Sequence, residues 1–158
     1  MPRKYPYHPA WDGGKSSELM LKCFDLCKRR YKTVTNLGIY ANRPVRNPAA
    51  EGELSVHATG FALDLGYKDE AQARIIWDFF VLNSKVLKTA EVHWYEYGRN
   101  KGKFGAGYRC SRGEGRAGVR VYNTAAESAG RGGKYLHIEL EDQDVDEFEA
   151  NFRALKNS

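Results

Sequence analysis

Histidine and aspartate residues with the spacing of metal ligands occur in this chain of 158 residues. His57 and Asp64 lie seven positions apart, and Gly60 separates the histidine from an alternating apolar segment. A chain that turns at Gly60 and continues as a strand through Asp64 can direct both side chains at one point. His137, in a later alternating segment, is a third candidate ligand. Two histidines, one carboxylate and an open fourth position form a recurrent catalytic zinc site, which suggests metal-assisted hydrolysis.

The segments that must position these residues alternate between helical and extended patterns. Apolar periodicity predicts helices over residues 18–31, from 69 to about 88, and in an acidic closing segment around Phe148, Phe152 and Leu155. Alternation predicts strands over residues 61–65, 89–97 and 135–140, with short strands at 38–41 and near 118–122. This order predicts an α+β fold with a small, mainly antiparallel sheet flanked by helices. The length predicts one domain over residues 1–158.

The positive charge of the chain is concentrated in residues 98–133. The net charge is +5, and this segment holds eight Lys or Arg residues against two acids, together with ten of the 16 glycines. We predict a long basic, glycine-rich loop here. It is either a solvated surface loop or a flap that contacts an anionic ligand, and in the second case Arg109 contacts the substrate.

The segment that ends at Asp64 resembles the signature of a known family. All five defined positions of the pattern S-x-H-x-x-G-x-A-x-D are matched, by Ser55, His57, Gly60, Ala62 and Asp64. This pattern is similar to that of the D-Ala-D-Ala carboxypeptidase and L-Ala-D-Glu endopeptidase family, within a wider group that includes lysostaphin-type enzymes and the hedgehog signalling domain. The late His137 resembles that family's terminal ligand, so the resemblance covers roughly residues 36–140.

The resemblance implies a zinc ion, Zn²⁺, bound by His57, Asp64 and His137. It also implies hydrolysis of peptidoglycan stem or cross-link peptides by a phage-type cell-wall peptidase. The family uses an upstream arginine to stabilise the oxyanion; Arg43 and Arg46 are the candidates, and Arg43 is favoured. Ser55 would contact the substrate or support the ligands.

The sequence departs from the family at the position of the general base. The family has Glu or Asp three residues before the last histidine, whereas this chain has Lys134. A lysine is normally protonated at neutral pH, so we assign Lys134 to substrate binding instead. Glu139, on the same strand face as His137, is the predicted base, and Glu91 and Glu96 are alternatives. Without a replacement base, the chain would be a non-catalytic zinc-containing module that binds the cell wall or a virion.

Partners and location follow from the remaining patterns. No apolar run approaches the ~20 residues that span a bilayer, and residues 1–14 lack the apolar region of a secretory signal. These features predict cytoplasmic synthesis without membrane insertion, and the resemblance implies action at the bacterial cell wall. Tyrosines interleave with arginines, as in single-strand binders, but this is a weak signal. A peptidoglycan peptide is therefore the predicted partner rather than nucleic acid, and the sequence predicts no oligomeric state.

Overall fold

Helices and strands alternate along the chain. The computed structural model describes residues 1–6, 16–39, 57, 60–97, 104–124 and 133–156. Its elements are α1 (Glu18–Tyr31), β1 (Thr35–Gly38), β2 (Ala62–Gly66), α2 (Glu70–Leu82), α3 (Ser84–Leu87), β3 (Thr89–Trp94), β4 (Ala106–Arg109), β5 (Val119–Val121), β6 (Tyr135–Leu140) and α4 (Val145–Ala154). A 3₁₀ turn at Gly115–Gly118 precedes β5. These elements confirm the predicted α+β fold.

The six described strands form one open antiparallel sheet in the order β1-β2-β6-β3-β4-β5. The strand β6 lies between β2 and β3, so residues from distant parts of the chain become direct neighbours. Paired residues share a face of the sheet. The register therefore produces two polar rows on one face, which we call the site face: a first row of Asp64, His137 and His93, and a second row of Glu139, Glu91 and Arg109.

The opposite face of the sheet is the hydrophobic core. Its alternate strand residues are fully or almost fully buried and include Leu63, Leu65, Val92, Leu136 and Ile138. They belong to one apolar cluster with side chains from α1, α2 and α4. Each such side chain contributes about 1.5–3 kcal/mol on burial. Because side chains alternate along each strand, one face of the sheet packs against the helices and the opposite face carries the two polar rows.

The helix predicted from residue 69 to about 88 is interrupted. Asp69 caps its start, since Oδ1 of Asp69 accepts a hydrogen bond of 2.9 Å from the backbone of Gln72. The helix ends at Leu82 because Asn83 leaves helical geometry and its side-chain amide donates to the carbonyl of Phe79 at 2.9 Å. The short helix α3 follows. Among the described residues, no helix has both the length and the apolar content to cross a membrane.

Two strand predictions also differ from the structure. Of the strand expected at residues 38–41, positions 40 and 41 lie outside the described residues; the strand that the structure describes here is Thr35–Gly38, which pairs with β2. The basic segment contains β4 in addition to the predicted strand near residue 119, and β4 pairs with β3. Glycines obscure the alternation of β4 in the sequence; Gly107 is needed because the ring of Tyr122 packs directly against its Cα. Residues 98–103 and 125–132 of the predicted loop lie outside the described residues.

Candidate metal centre

The three predicted ligands are brought together by two adjacent strands and one turn. Asp64 of β2 and His137 of β6 are directly paired across the sheet. His57 is joined to β2 by a turn in which the backbone N–H of Gly60 donates to the carbonyl of His57 at 3.1 Å. Gly60 has a φ of 79°, a conformation that glycine adopts without steric cost. The turn therefore places His57 beside the pair formed by the strands.

One carboxylate oxygen lies close to a nitrogen of each histidine. Oδ1 of Asp64 is 3.2 Å from Nε2 of His57 and 3.1 Å from Nδ1 of His137. One ligand atom from each residue lies within 4.8 Å of the other two. Ligands bound at 2.0–2.1 Å to a tetrahedral zinc ion are about 3.3 Å apart, close to these separations. The predicted residues therefore converge, and the group could hold a metal ion.

The second ring nitrogen of each histidine has its own hydrogen-bond acceptor. Nδ1 of His57 lies 2.8 Å from the carbonyl oxygen of Ile39, and Nε2 of His137 lies 2.6 Å from Oε2 of Glu139. Because a carbonyl or carboxylate oxygen accepts, these nitrogens carry the protons. If both rings are neutral, the nitrogens of His57 and His137 that face Asp64 are unprotonated, so their lone pairs point at its carboxylate. Such a cluster of acceptors requires either additional protons or a cation among them.

The charges of the metal-free group follow from these contacts. Burial alone would raise the pKa of Asp64, but hydrogen bonds from His137 and His57 hold it well below its ordinary value. Burial alone would lower the pKa of His137, but its hydrogen bonds to Asp64 and Glu139 raise it well above its ordinary value. Without a metal ion, His137 is therefore an imidazolium at neutral pH, and its proton faces Asp64 where an ion would bind.

The second row is a closed set of hydrogen bonds and charges behind His137. Glu139 is only 5% exposed, and its two oxygens accept from His137 and from the hydroxyl of Tyr5. Glu91 pairs with Arg109 at 2.9 Å, and burial together with the charge of Glu139 raises the pKa of Glu91. The guanidinium of Arg109 lies 4.2 Å from the ring centre of Tyr5. These contacts favour an orienting role for Glu139 over its predicted role as base. The side chain of Arg109 is 39% exposed, and its guanidinium is engaged by Glu91 and Tyr5.

His93 of β3, which pairs with His137 across the sheet, completes the first row. It is 2% exposed and stacks on Tyr95, with ring centres 4.1 Å apart. Its Nε2 has no hydrogen-bond partner within the described structure. Burial and the charge of His137 lower the pKa of His93 to about 3, so its ring is neutral. The signal available in the sequence was the alternation of strand 89–97, which places His93 on the face opposite the core.

The remaining predicted site residues do not join this group in the described structure. Arg43, Arg46 and Ser55 lie outside the described residues. Lys134 precedes β6, and its amino group donates to the carbonyl of Lys68 at 2.8 Å. This contact lies beyond the end of β2, beside a cavity of about 330 Å³. Lys134 is therefore not directed at the first row.

The chain matches no protein-family model, no curated protein and no solved structure. The resemblance seen in the sequence therefore stays a prediction.

Proposed function

We propose that this chain is a zinc-dependent hydrolase that cleaves stem or cross-link peptides of peptidoglycan. The observation that carries the proposal is the orientation of the two histidines. In each histidine, one ring nitrogen faces Oδ1 of Asp64 and the other donates a hydrogen bond to an acceptor oxygen. This pattern is typical of histidine ligands, whose outer hydrogen bonds fix the tautomer and ring orientation.

The donor set fits zinc. Two imidazole nitrogens and one carboxylate oxygen, with a fourth position left open, are ligands that zinc accepts in hydrolytic sites. A zinc ion there would polarise a scissile carbonyl and lower the pKa of a bound water to about 7. His57, Asp64 and His137 would hold the ion.

The other residues of the site face would prepare this centre for reaction. Glu139 orients His137 by accepting the proton on Nε2. His93 offers a neutral ring in the same row, with Nε2 unpartnered within the described structure. In our proposal, Nε2 of His93 accepts a hydrogen bond from the attacking water and so orients it; with a pKa of about 3 the ring does not hold the proton.

The choice of a wall peptide is supported by the sequence pattern and by charge. The signature around His57 resembles that of wall-peptide hydrolases, and the basic segment suits a substrate with carboxylates. Two arginines of the basic segment make intramolecular contacts: Arg109 pairs with Glu91, and Arg112 donates hydrogen bonds to backbone carbonyls. By this proposal the substrate contacts come from other basic residues, and the chain acts at the bacterial wall as a phage lysis or virion component.

The test is cleavage of purified peptidoglycan by the zinc-loaded protein. Mass spectrometry of the soluble fraction, with a count of new amino groups, identifies released peptides. We expect release by the parent chain and loss of release in Asp64→Asn. Asp25→Asn, the same change in the exposed i,i+4 ion pair of α1, should behave as the parent.

Three outcomes separate the alternatives. Zinc-dependent release that Asp64→Asn abolishes supports the proposal. Binding to the wall without release by the zinc-loaded parent indicates the non-catalytic module instead. Neither binding nor release contradicts both functions.

A further inference from the structure

The N-terminal residues are fixed against the sheet. The backbone N–H of Arg3 donates to the carbonyl of Cys110 at 2.9 Å. The guanidinium of Arg3 donates to the carbonyl of Thr89 at 2.8 Å and to the carboxylate of Glu141 at 2.7 Å. These bonds attach the segment to the start of β3, to the residue after β4 and to the residue after β6. Tyr5, two residues after Arg3, is therefore held at the edge of the site face.

Tyr5 connects this segment to the metal centre. Its hydroxyl donates to Oε1 of Glu139, and the other oxygen of the same carboxylate accepts from Nε2 of His137. The ring of Tyr5 is held in turn by the guanidinium of Arg109, 4.2 Å from the ring centre. A continuous chain of contacts therefore runs from the N-terminal segment through Glu139 to a proposed metal ligand.

The environment of Glu139 makes the hydroxyl of Tyr5 important. Glu139 is 5% exposed and lies opposite a second buried acid, Glu91, in the sheet register. A buried carboxylate needs hydrogen-bond partners for both oxygens, and a carboxylate that lacks one of them can reorient toward other donors. Such a reorientation would release the ring of His137, because the outer hydrogen bond sets the orientation of a histidine ligand.

We infer that Tyr5 is a positioning residue of the metal centre, which acts through Glu139 to hold His137 in the orientation that binds metal. This inference rests on the proposed metal site and extends it to a residue 134 positions away from Glu139 in the chain. It makes the N-terminal segment a part of the centre. Its consequence is that metal affinity depends on residues distant from every ligand in the sequence.

The test compares metal affinity in the full chain and in Tyr5→Phe, which removes only the hydroxyl. Titration calorimetry with Zn²⁺ and with Co²⁺ gives the affinity, and the visible spectrum of Co²⁺ reports the ligand geometry. We expect about tenfold weaker binding, the lower end of the effect of losing an outer partner of a ligand. Tyr31→Phe removes a buried phenol hydroxyl from the end of α1 and should change metal affinity less than about twofold.

A double-mutant cycle separates positioning from general destabilisation. In a Glu139→Ala background the hydroxyl has lost its acceptor, so Tyr5→Phe should weaken binding less than about twofold further. Melting of each metal-free variant verifies that it is folded. A tenfold loss that persists without Glu139, or unchanged affinity in Tyr5→Phe, overturns this inference and leaves the metal site intact. Failure of the parent chain to bind either metal overturns the metal site and this inference together.

Discussion

Metal binding should release a proton from His137. In the metal-free protein this ring lies between the carboxylates of Asp64 and Glu139, at 3.1 and 2.6 Å. Although burial alone acts in the other direction, these two acceptors raise the pKa of His137 well above its ordinary value. A metal ion requires the lone pair of Nδ1, so it must displace the proton that faces Asp64.

The size of the effect follows from linkage. Below the raised pKa of His137, each bound ion replaces about one proton, and the apparent association constant rises about tenfold per pH unit. Each pH unit below the raised pKa of His137 therefore strengthens metal binding by about 1.36 kcal/mol. Glu139→Gln removes one of the two charges that hold the proton, so this variant should show a shallower dependence.

Titration calorimetry in two buffers with different ionisation enthalpies measures the protons released, and competition with a chelator gives the affinity at each pH. We expect about one proton from His137 per ion near neutral pH. An affinity that changes less than about threefold between pH 6 and pH 8, with no proton release, would refute the assigned charge state and the competition between proton and metal.

Three further predictions concern the same face of the sheet. The metal-free protein should be most stable between about pH 4 and pH 6.5. Asp64 contributes stability above its ordinary pKa of 3.8, and this contribution is lost as the pH falls through the depressed pKa of the folded state. His137 contributes stability below its ordinary pKa of 6.5, and this contribution is lost as the pH rises through the raised pKa of the folded state. Thermal melting of the protein in chelator across this pH range checks this prediction, and a melting temperature that stays constant up to pH 9 would contradict it. His93→Phe should lower peptide release about ten- to hundredfold while metal affinity stays within about twofold; undiminished release would exclude His93 as the group that orients the attacking water. Gly107→Ala should cost about 1–3 kcal/mol, because the added methyl group displaces the ring of Tyr122, and an unchanged urea midpoint would count against this packing.

Elements with strong local signals could be predicted from the sequence. The helix over residues 18–31 and the strand over 135–140 have the predicted bounds, because apolar periodicity and a serine cap define them locally. The site face of β6 was also predictable, since alternation separates His137 and Glu139 from the buried leucines. By contrast, β4 is four residues long, contains Gly107 and lies within a glycine-rich segment, so it has no clear alternation in the sequence; its pairing with β3 defines it.

The partners of the site could not be predicted because they depend on register. Nothing local relates His93 to His137, which become neighbours only when β3 pairs with β6. The contact between Tyr5 and Glu139 joins opposite ends of the chain. A sequence pattern indicates which face a residue occupies, whereas the strand order decides what it meets there. For this reason, the sequence predicts that Glu139 faces the same side as His137, whereas its hydrogen bonds to His137 and Tyr5 follow only from the fold.

The central claim is that one metal ion binds among His57, Asp64 and His137. Anomalous diffraction at the zinc absorption edge, from crystals of the zinc-loaded protein, tests it most directly. We expect a single peak about 2.0–2.2 Å from Nε2 of His57, Oδ1 of Asp64 and Nδ1 of His137. The absence of a peak at these atoms, or zinc held by the opposite nitrogen of either histidine, would contradict it.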